Sequence, residues 1–168
     1  MLQQDVLVLD IEASSLSAQS YPIAIGVAGH TQRWNWFVTP LGEWDDWCDI
    51  AESLHHIERD FLLAQGRDAF LVAREMNAIF KGQVLLVNSE WDKRWLDLLY
   101  DETGVRCSFT VKRLDEVFEA NICGAIMDAY ESADSAHEAE KDAVCLRDAV
   151  LGALKLQEME AATLTSRA

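Results

Sequence analysis

Short stretches rich in Val, Ile, Leu and aromatic residues, each bounded by Gly, Pro or polar residues, recur along this chain. Such stretches are typical of β-strands, and the first, D-V-L-V-L-D, suits a central strand buried on both faces. The second and third are separated only by G-H-T, which favours a hairpin. The predicted strands cover residues 5–10, 22–29, 32–39, 83–87 and 107–110.

Between and after these strands, apolar residues recur every three or four positions, which predicts helices that bury one face. In the clearest case, Asp68 is the expected N-terminal cap of a helix that Gly82 terminates. The predicted helices cover residues 43–53, 60–66, 68–81, 89–100, 112–120 and 137 to about 159. A strand meander followed by alternating helices and strands indicates an α/β protein with a mixed sheet.

A length of 168 residues, half of them hydrophobic, favours one globular domain. We expect this domain to cover residues 1–160, followed by a flexible tail at 161–168. No apolar run reaches 18 residues, so no membrane span is expected, and the N-terminus does not resemble a signal peptide. The four cysteines form no C-x-x-C pair, so a zinc site is not expected either. Reduced thiols in the cytoplasm are the default expectation.

Acidity is the unusual property of the composition. The chain carries 29 Asp and Glu against 14 Lys and Arg, a formal net charge of −15. This charge repels a polyanion at long range, which argues against a long nucleic acid held in a broad basic groove. A short oligonucleotide, or a strand end held mainly through metal ions, is compatible with it. Solubility alone is an equally good explanation of the acidity.

Two carboxylates stand where the first predicted strand ends. Asp10 and Glu12 are two residues apart, so in an extended strand both side chains point to the same face. Carboxylates at the exit of a buried strand are costly unless a cation holds them, and two adjacent anions favour a bound metal. Taken alone, a D-x-E pair is a weak signal, because such pairs arise often by chance in an acidic chain.

Three further polar residues are candidates for the same site as Asp10 and Glu12. Asp92 lies on the first turn of the helix after the strand 83–87, where the helix dipole alone favours an acid. His137 and Asp142 lie near the start of the last helix, about 140° apart around its axis. Placing His137 on the loop that enters the helix would bring both to one site. Taken alone, this pair also fits a solvated surface.

Together these residues occur in three motifs of a known family. The chain reads D10-I-E-A-S-S-L16, then V87-N-S-E-W-D92, then H137-E-A-E-K-D-A143, with L54-H-H-I-E-R-D-F-L62 between the first two. It resembles the DEDD-type 3′–5′ exonucleases of the histidine subclass, which include the proofreading epsilon subunit, RNase T and oligoribonuclease. Their patterns are D-x-E-[TM]-[TS]-G-L, H-N-x-x-F-D, H-x-A-x-x-D-A and an H-G-I segment. The resemblance covers residues 5 to about 156.

Several positions depart from the family's patterns. The departures, none of them a metal ligand or the third-motif histidine, are Ala13, Ser15, Ala24, Val87 and Trp91. They bear on substrate preference more than on catalysis.

The resemblance implies a ribonuclease H-like fold, with a mixed five-stranded sheet flanked by helices, and a metal-dependent hydrolytic activity. Asp10, Glu12 and Asp142 would hold one Mg²⁺ or Mn²⁺, Asp10 would reach a second ion, and Asp92 would assist directly or through water. Two such ions stabilise the attacking and leaving oxygens of a phosphodiester. His137 would be the general base toward the attacking water. The products would be nucleoside 5′-monophosphates and a strand shortened at its 3′ end.

The resemblance also implies contacts with the substrate. The Ala13 amide and the Leu16 side chain would contact the terminal nucleotide, and His55 would border the pocket, although a capping or surface role fits His55 equally well. Trp91 could stack on a base, but core packing is the simpler expectation for it and for the other tryptophans. Basic residues cluster weakly at 93–94 and 106–113, where a partner subunit would complete a phosphate-binding surface. Several relatives dimerise, so a homodimer is expected by resemblance only.

Two other functions compete with an exonuclease on short single-stranded DNA or RNA. A non-catalytic nucleic-acid-binding or scaffold domain could keep the same fold, although the intact set of five residues argues against it. A phosphodiesterase on small nucleotides could use the same metals, and the acidity of the chain favours testing it. The sequence does not distinguish ribose from deoxyribose.

Overall fold

The computed structural model describes residues 6–133 and 137–165, with side chains up to Met159 and that of Ala162 thereafter. Its strands are, in order, β1 to β5: Leu7–Ala13, Pro22–Ala28, Arg33–Phe37, Val84–Val87 and Thr110–Arg113. Its helices are α1 to α6: Asp49–His55, Arg59–Gln65, Ala69–Phe80, Glu90–Thr103, Ala120–Ser132 and Ala139–Thr165. A 3₁₀ turn at Leu114–Glu116 follows β5.

The five strands form one mixed sheet in the order β3-β2-β1-β4-β5. The pairs β1–β2 and β2–β3 are antiparallel, whereas β1–β4 and β4–β5 are parallel. This confirms the predicted α/β class and the mixed five-stranded sheet. The central strand β1 is the first long apolar run of the sequence, and it continues past Asp10 to Ala13. Both members of the D-x-E pair therefore lie within the strand.

Two apolar layers cover the sheet. The larger core packs α3 and α4 on one face, through residues such as Val72, Met76 and Leu99. The second core packs α5 and α6 on the other face, through Ile126, Leu146 and others. Trp34 and Trp36 contact the Phe80 ring edge-on, at centroid distances of 5.0 and 6.4 Å. This confirms the expected packing role of these two tryptophans.

The capping residues read from the sequence act as predicted. The Asp68 side chain accepts a hydrogen bond from the Leu71 amide at 3.0 Å, and Ser89 accepts one from Trp91 at 3.0 Å. Gly82 follows α3 with a φ of +73°, which favours glycine. The helices that carry these signals begin within a residue of the predicted positions.

The predicted helix at 43–53 is wrong in its first half, because α1 begins only at Asp49. The preceding loop is held by tertiary contacts. Trp44 stacks on Tyr21 at a centroid distance of 5.1 Å, and the Cys48 amide donates to the Ser14 carbonyl at 3.1 Å. These contacts to the end of β1 and the start of β2 outweigh a local helical preference.

The predicted strand at 107–110 and helix at 112–120 are also wrong. Residues Thr110–Arg113 form β5, because they pair in parallel with β4. Helix α5, Ala120–Ser132, was not predicted, although Ile122, Ile126 and Tyr130 recur every four residues along it; Gly124 lowers the helix propensity of this segment, and Ile126 is fully buried. Helix α6 continues to Thr165, so its backbone includes the first part of the predicted tail, and residues 166–168 lie outside the described residues.

Candidate active site

Alternation along β1 separates its apolar residues from its acids. Leu7, Leu9 and Ile11 belong to the larger core, on one face of the strand. Val6 and Val8 belong to the second core, on the other face. Because side chains alternate along a strand, Asp10 and Glu12 continue the face of Val8, at the end where the apolar cover stops. The two carboxylates therefore share one face, as the spacing predicts.

A glycine beside Asp10 brings helix α6 to this face. Gly26 of β2 pairs with Asp10 across the antiparallel ladder. A Cβ at Gly26 would overlap the backbone of Ala139 and Glu140, at the start of α6. The missing side chain thus allows the helix backbone to lie directly on the strand. Asp142, one turn further along the helix and 3% exposed, is carried to the acids of β1.

His137 lies outside the helix, two residues before its start. Its φ is +49°, a left-handed conformation that is uncommon for a non-glycine residue and often found at functional sites. One ligand atom each from Glu12, His137 and Asp142 lie within 4.8 Å of one another. The loop position expected for His137 is therefore confirmed, and it brings the imidazole and Asp142 to one site.

Asp92 reaches the same strand from the other side of the fold. It lies on the first turn of α4, which Ser89 caps, and it is 3% exposed. Its Oδ1 accepts a hydrogen bond from the Ile11 amide at 3.1 Å, between the two acids of β1. The start of α4 is thus tied to the strand at the site itself.

Burial and mutual repulsion set the protonation of these acids. The pKa of Asp10 is raised well above its usual range by burial and then by the charges of Asp92, Glu12 and Asp142. Burial, followed by the charge of Asp142, raises the pKa of Glu12 to about 7. The pKa of Asp92 is also raised to about 7, mainly by burial, although the Ile11 amide opposes this shift. Ionised together, these carboxylates need a cation.

For Asp10, Glu12 and Asp92, no described side chain supplies that cation. Within residues 6–133 and 137–165, no Lys or Arg forms an ion pair with Asp10, Glu12 or Asp92. Hard divalent cations prefer such carboxylate oxygens. The donor set therefore fits a divalent metal ion, with Glu12, His137 and Asp142 the group whose ligand atoms lie closest together.

These shifts predict how stability depends on pH without metal. The acids hold their protons to a higher pH in the folded chain than in the unfolded one, so folding takes up protons between about pH 4 and 7. The contribution of Asp10, Glu12 and Asp92 to the stability of the metal-free protein should therefore be largest below this range and fall as the pH rises through it. Thermal melts with a chelator from pH 5 to 8 measure this. Mn²⁺ should restore the melting temperature above pH 7, and a melting temperature that rises with pH under chelation would contradict the expectation.

An apolar cavity of about 370 Å³ adjoins the acidic cluster. Glu12, Ala13 and His137 line its side toward the acids. Three large apolar side chains line the rest although they are well exposed: Leu16 is 73%, Ile50 74% and Leu54 51% exposed. Exposed apolar side chains grouped around a concave surface are typical of a ligand site. Leu16 was predicted as a substrate contact from the first motif. Ile50 and Leu54 were not, because the helix predicted at 43–53 begins too early in the chain.

His55 lies in the wall of this cavity and is 5% exposed. Its Nδ1 accepts a hydrogen bond from the Ile57 amide at 3.0 Å, which leaves the proton on Nε2. Nε2 is buried and has no hydrogen-bond partner among the described residues. Burial, more than the charges around it, lowers the pKa of His55 to about 4, so the ring is a neutral donor at physiological pH. It is neither a helix cap nor a surface residue.

Trp91 is not among the residues that line this cavity, although its neighbour Trp95 is. It packs against Trp95 at a ring-centroid distance of 5.5 Å, and the Arg94 guanidinium lies 5.0 Å above its ring.

Two other residues that depart from the family motifs have well-defined surroundings. Ser15 donates a hydrogen bond to Asp46 at 2.5 Å and is 6% exposed. Val87 is fully buried at the end of β4.

Solved structures share this arrangement of strands and helices. The zinc-bound complex of E. coli ExoI with single-stranded DNA matches with a TM-score of 0.68 and 13% identity, over 95% of this chain and 42% of that chain. The chain shares the fold of exonuclease I. The complex of E. coli exonuclease I with a dA16 oligonucleotide matches with a TM-score of 0.65 at 14% identity, over 87% and 40%. A product-bound exonuclease I matches at 0.63 and 14%, over 92% and 43%.

The likeness to exonuclease I confirms the ribonuclease H-like fold that the motifs imply. This chain spans about two fifths of the length of those exonuclease I chains. No protein-family model and no curated protein matches the sequence. None of the described helices has the length and apolar character needed to cross a membrane.

Proposed function

We propose that this protein is a metal-dependent 3′–5′ exonuclease that acts on short single-stranded DNA or RNA. The observation that carries the proposal is the gathering of Asp10, Glu12, Asp92, His137 and Asp142, from three segments distant in sequence, at one end of the sheet. The pKa values of Asp10, Glu12 and Asp92 are raised there, and within the described residues these three acids have no cationic partner. The fold shared with exonuclease I bound to single-stranded DNA supports the same reaction class.

Divalent ions, Mg²⁺ or Mn²⁺, complete the site in this proposal. Asp10, Glu12 and Asp142 hold them, and Asp92 assists while its bond to Ile11 keeps β1 and α4 in register. When bound, such ions neutralise charge on the attacking and leaving oxygens of a phosphodiester.

The chain's own residues supply the remaining steps. His137 is exposed and lies beside Glu12 and Asp142, so its imidazole can take the proton of the attacking water. The terminal nucleotide occupies the adjoining apolar cavity, against Ala13 and Leu16. His55 is one of the polar residues of that wall, and its Nε2–H, which has no partner among the described residues, donates to the nucleotide. Of the predicted contacts, Trp91 is the one that this geometry supports least.

Charge limits the length of the substrate. The basic cluster at 93–94 and 106–113 is partly neutralised: Arg113 pairs with Glu90 at 3.0 Å and with Asp115 at 2.9 Å, and Lys93 approaches Glu116 at 3.9 Å. With a net charge of −15 as well, a long polyanion gains little from this surface. Short oligonucleotides, held at the 3′ end, suit the molecule best.

A panel of labelled substrates tests the proposal. Dinucleotides, single-stranded 20-mers and blunt duplexes of DNA and RNA, labelled at the 3′-terminal nucleotide, are incubated with Mg²⁺ or Mn²⁺ and with a chelator. Nucleoside 5′-monophosphates should leave the single strands from the 3′ end, dinucleotides should react fastest, and chelation should stop release. Failure of every substrate with both metals would favour a non-catalytic domain. Cleavage confined to dinucleotides and simple phosphodiesters would favour the small-nucleotide phosphodiesterase.

A further inference from the structure

Tyr130 stands in the acidic site although no sequence motif points to it. It lies in the last turn of α5, the helix that sequence reasoning missed. Its ring is half-buried and packs against the second core. The same ring lines an open cleft of about 720 Å³, together with Asp10, Glu12, His137 and Asp142. The phenol therefore lies at the same cleft as the carboxylates.

The hydroxyl of Tyr130 has no hydrogen-bond partner among residues 6–133 and 137–165. Its pKa is raised, first by burial and then by the charges of Asp10, Asp142 and Asp92. The phenol therefore keeps its proton and is a neutral donor.

Few donors are available in this cleft. Ionised carboxylates only accept hydrogen bonds, and His137 must accept a proton in the proposed function. Ser132 also lines the cleft, but its hydroxyl already donates to the Ala129 carbonyl at 2.8 Å. No Lys or Arg is among the described residues that line it. Tyr130 is thus the uncommitted side-chain donor of the described cleft wall.

We propose that the Tyr130 hydroxyl donates a hydrogen bond to a non-bridging oxygen of the phosphodiester held at the acidic site. The inference rests on the proposed exonuclease function and adds a substrate-contacting residue to it. A phosphate brought among carboxylates needs donors as well as cations, because its own oxygens are acceptors. A neutral phenol supplies one without adding a negative charge. The packed ring holds the hydroxyl in place before the substrate arrives.

The first test compares two tyrosine-to-phenylalanine variants. Tyr130→Phe should lower kcat/KM for single-stranded substrates about 10–100-fold, the loss of one hydrogen bond to a charged group, with an unchanged melting temperature. Tyr100→Phe is the matched control. The Tyr100 hydroxyl donates to the Ala73 carbonyl at 3.0 Å inside the larger core, so its loss should lower the melting temperature and leave kcat/KM unchanged.

The second test asks whether the hydroxyl contacts the phosphate. The two diastereomers of a substrate with one sulfur at the scissile phosphate are compared with the all-oxygen substrate, with Mn²⁺. For one diastereomer, the ratio of wild-type to Tyr130→Phe rates should fall towards one, since sulfur is a poor acceptor. An equal ratio for all three substrates, or a Tyr130→Phe variant as active as the wild type, would overturn the inference alone. A wild type that releases no nucleotide would overturn the proposed function too.

Discussion

Replacing Asp10 with Asn should reduce nucleotide release at least about 10³-fold while making the metal-free protein more stable at neutral pH. The two effects have one cause. Asp10 is 9% exposed, and burial together with the charges of Asp92, Glu12 and Asp142 opposes its ionisation. An amide of the same shape removes a charge that the folded state holds at a cost and that a metal ion would otherwise compensate.

Rates with Mn²⁺ and thermal melts with a chelator, at pH 7.5, check this prediction. Mn²⁺ should raise the melting temperature of the wild type far more than that of Asp10→Asn. Asp101→Asn is the control, because Asp101 is an exposed acid of α4 away from the site. It should change neither the rate nor the response to metal. An Asp10→Asn protein with full activity in Mn²⁺ would refute the assignment of this carboxylate as a metal ligand.

Replacing Gly26 with Ala should impair both folding and activity, although it adds a single methyl group. That methyl would overlap the backbone of Ala139 and Glu140, which cannot rotate away as a side chain could. We expect a loss of about 1–3 kcal/mol in the free energy of unfolding, as for other overpacked sites. Helix α6 must shift to relieve the overlap, and it carries Asp142 and positions His137. A shift of ~1 Å at the reacting groups should cost about 100-fold in rate.

Gly152→Ala is the matched control for this substitution. Gly152 lies in the same helix, and a Cβ there meets no atom within 4 Å. Alanine should therefore stabilise the protein by roughly 0.5–1 kcal/mol through its helix propensity and leave activity unchanged. Chemical denaturation and initial rates measure both variants. If Gly26→Ala retains the stability and rate of the wild type, α6 is not placed by its contact with β2.

Elements set by local interactions were predicted correctly from the sequence, whereas elements set by contacts between residues distant in sequence were not. Helices α3 and α4 were predicted within a few residues, because Asp68, Gly82 and Ser89 act on the backbone within a few residues of themselves. The loop before α1 was misjudged, because Trp44 stacks on a residue 23 positions away in sequence. Segment β5 was misjudged as well, because pairing with β4 decides its conformation.

The same distinction applies to the candidate site. Asp10 and Glu12 could be assigned to one face from their spacing, and His137 to the loop before α6, since both depend on local geometry. Tyr130 could not be assigned to the site, because no motif contains it and its approach to the acids depends on how α5 packs against the sheet. Nor could the apolar cavity, which forms only when Leu16 and the exposed residues of α1 meet.

Hydrophobic periodicity, helix caps and motifs all involve neighbouring positions in the chain. The sequence alone therefore predicted the central strand, the capped helices, the five polar residues and the family that they resemble. Three facts could be seen only in the folded chain: the acids lie together, the absence of a side chain at Gly26 allows helix α6 to pack beside Asp10, and Tyr130 lines the same cleft. Those facts depend on close packing between segments more than 100 residues apart, where one missing Cβ or one ring fixes the geometry. Burial in that packing also raises the pKa values of the acids, and no local pattern of residues encodes that shift.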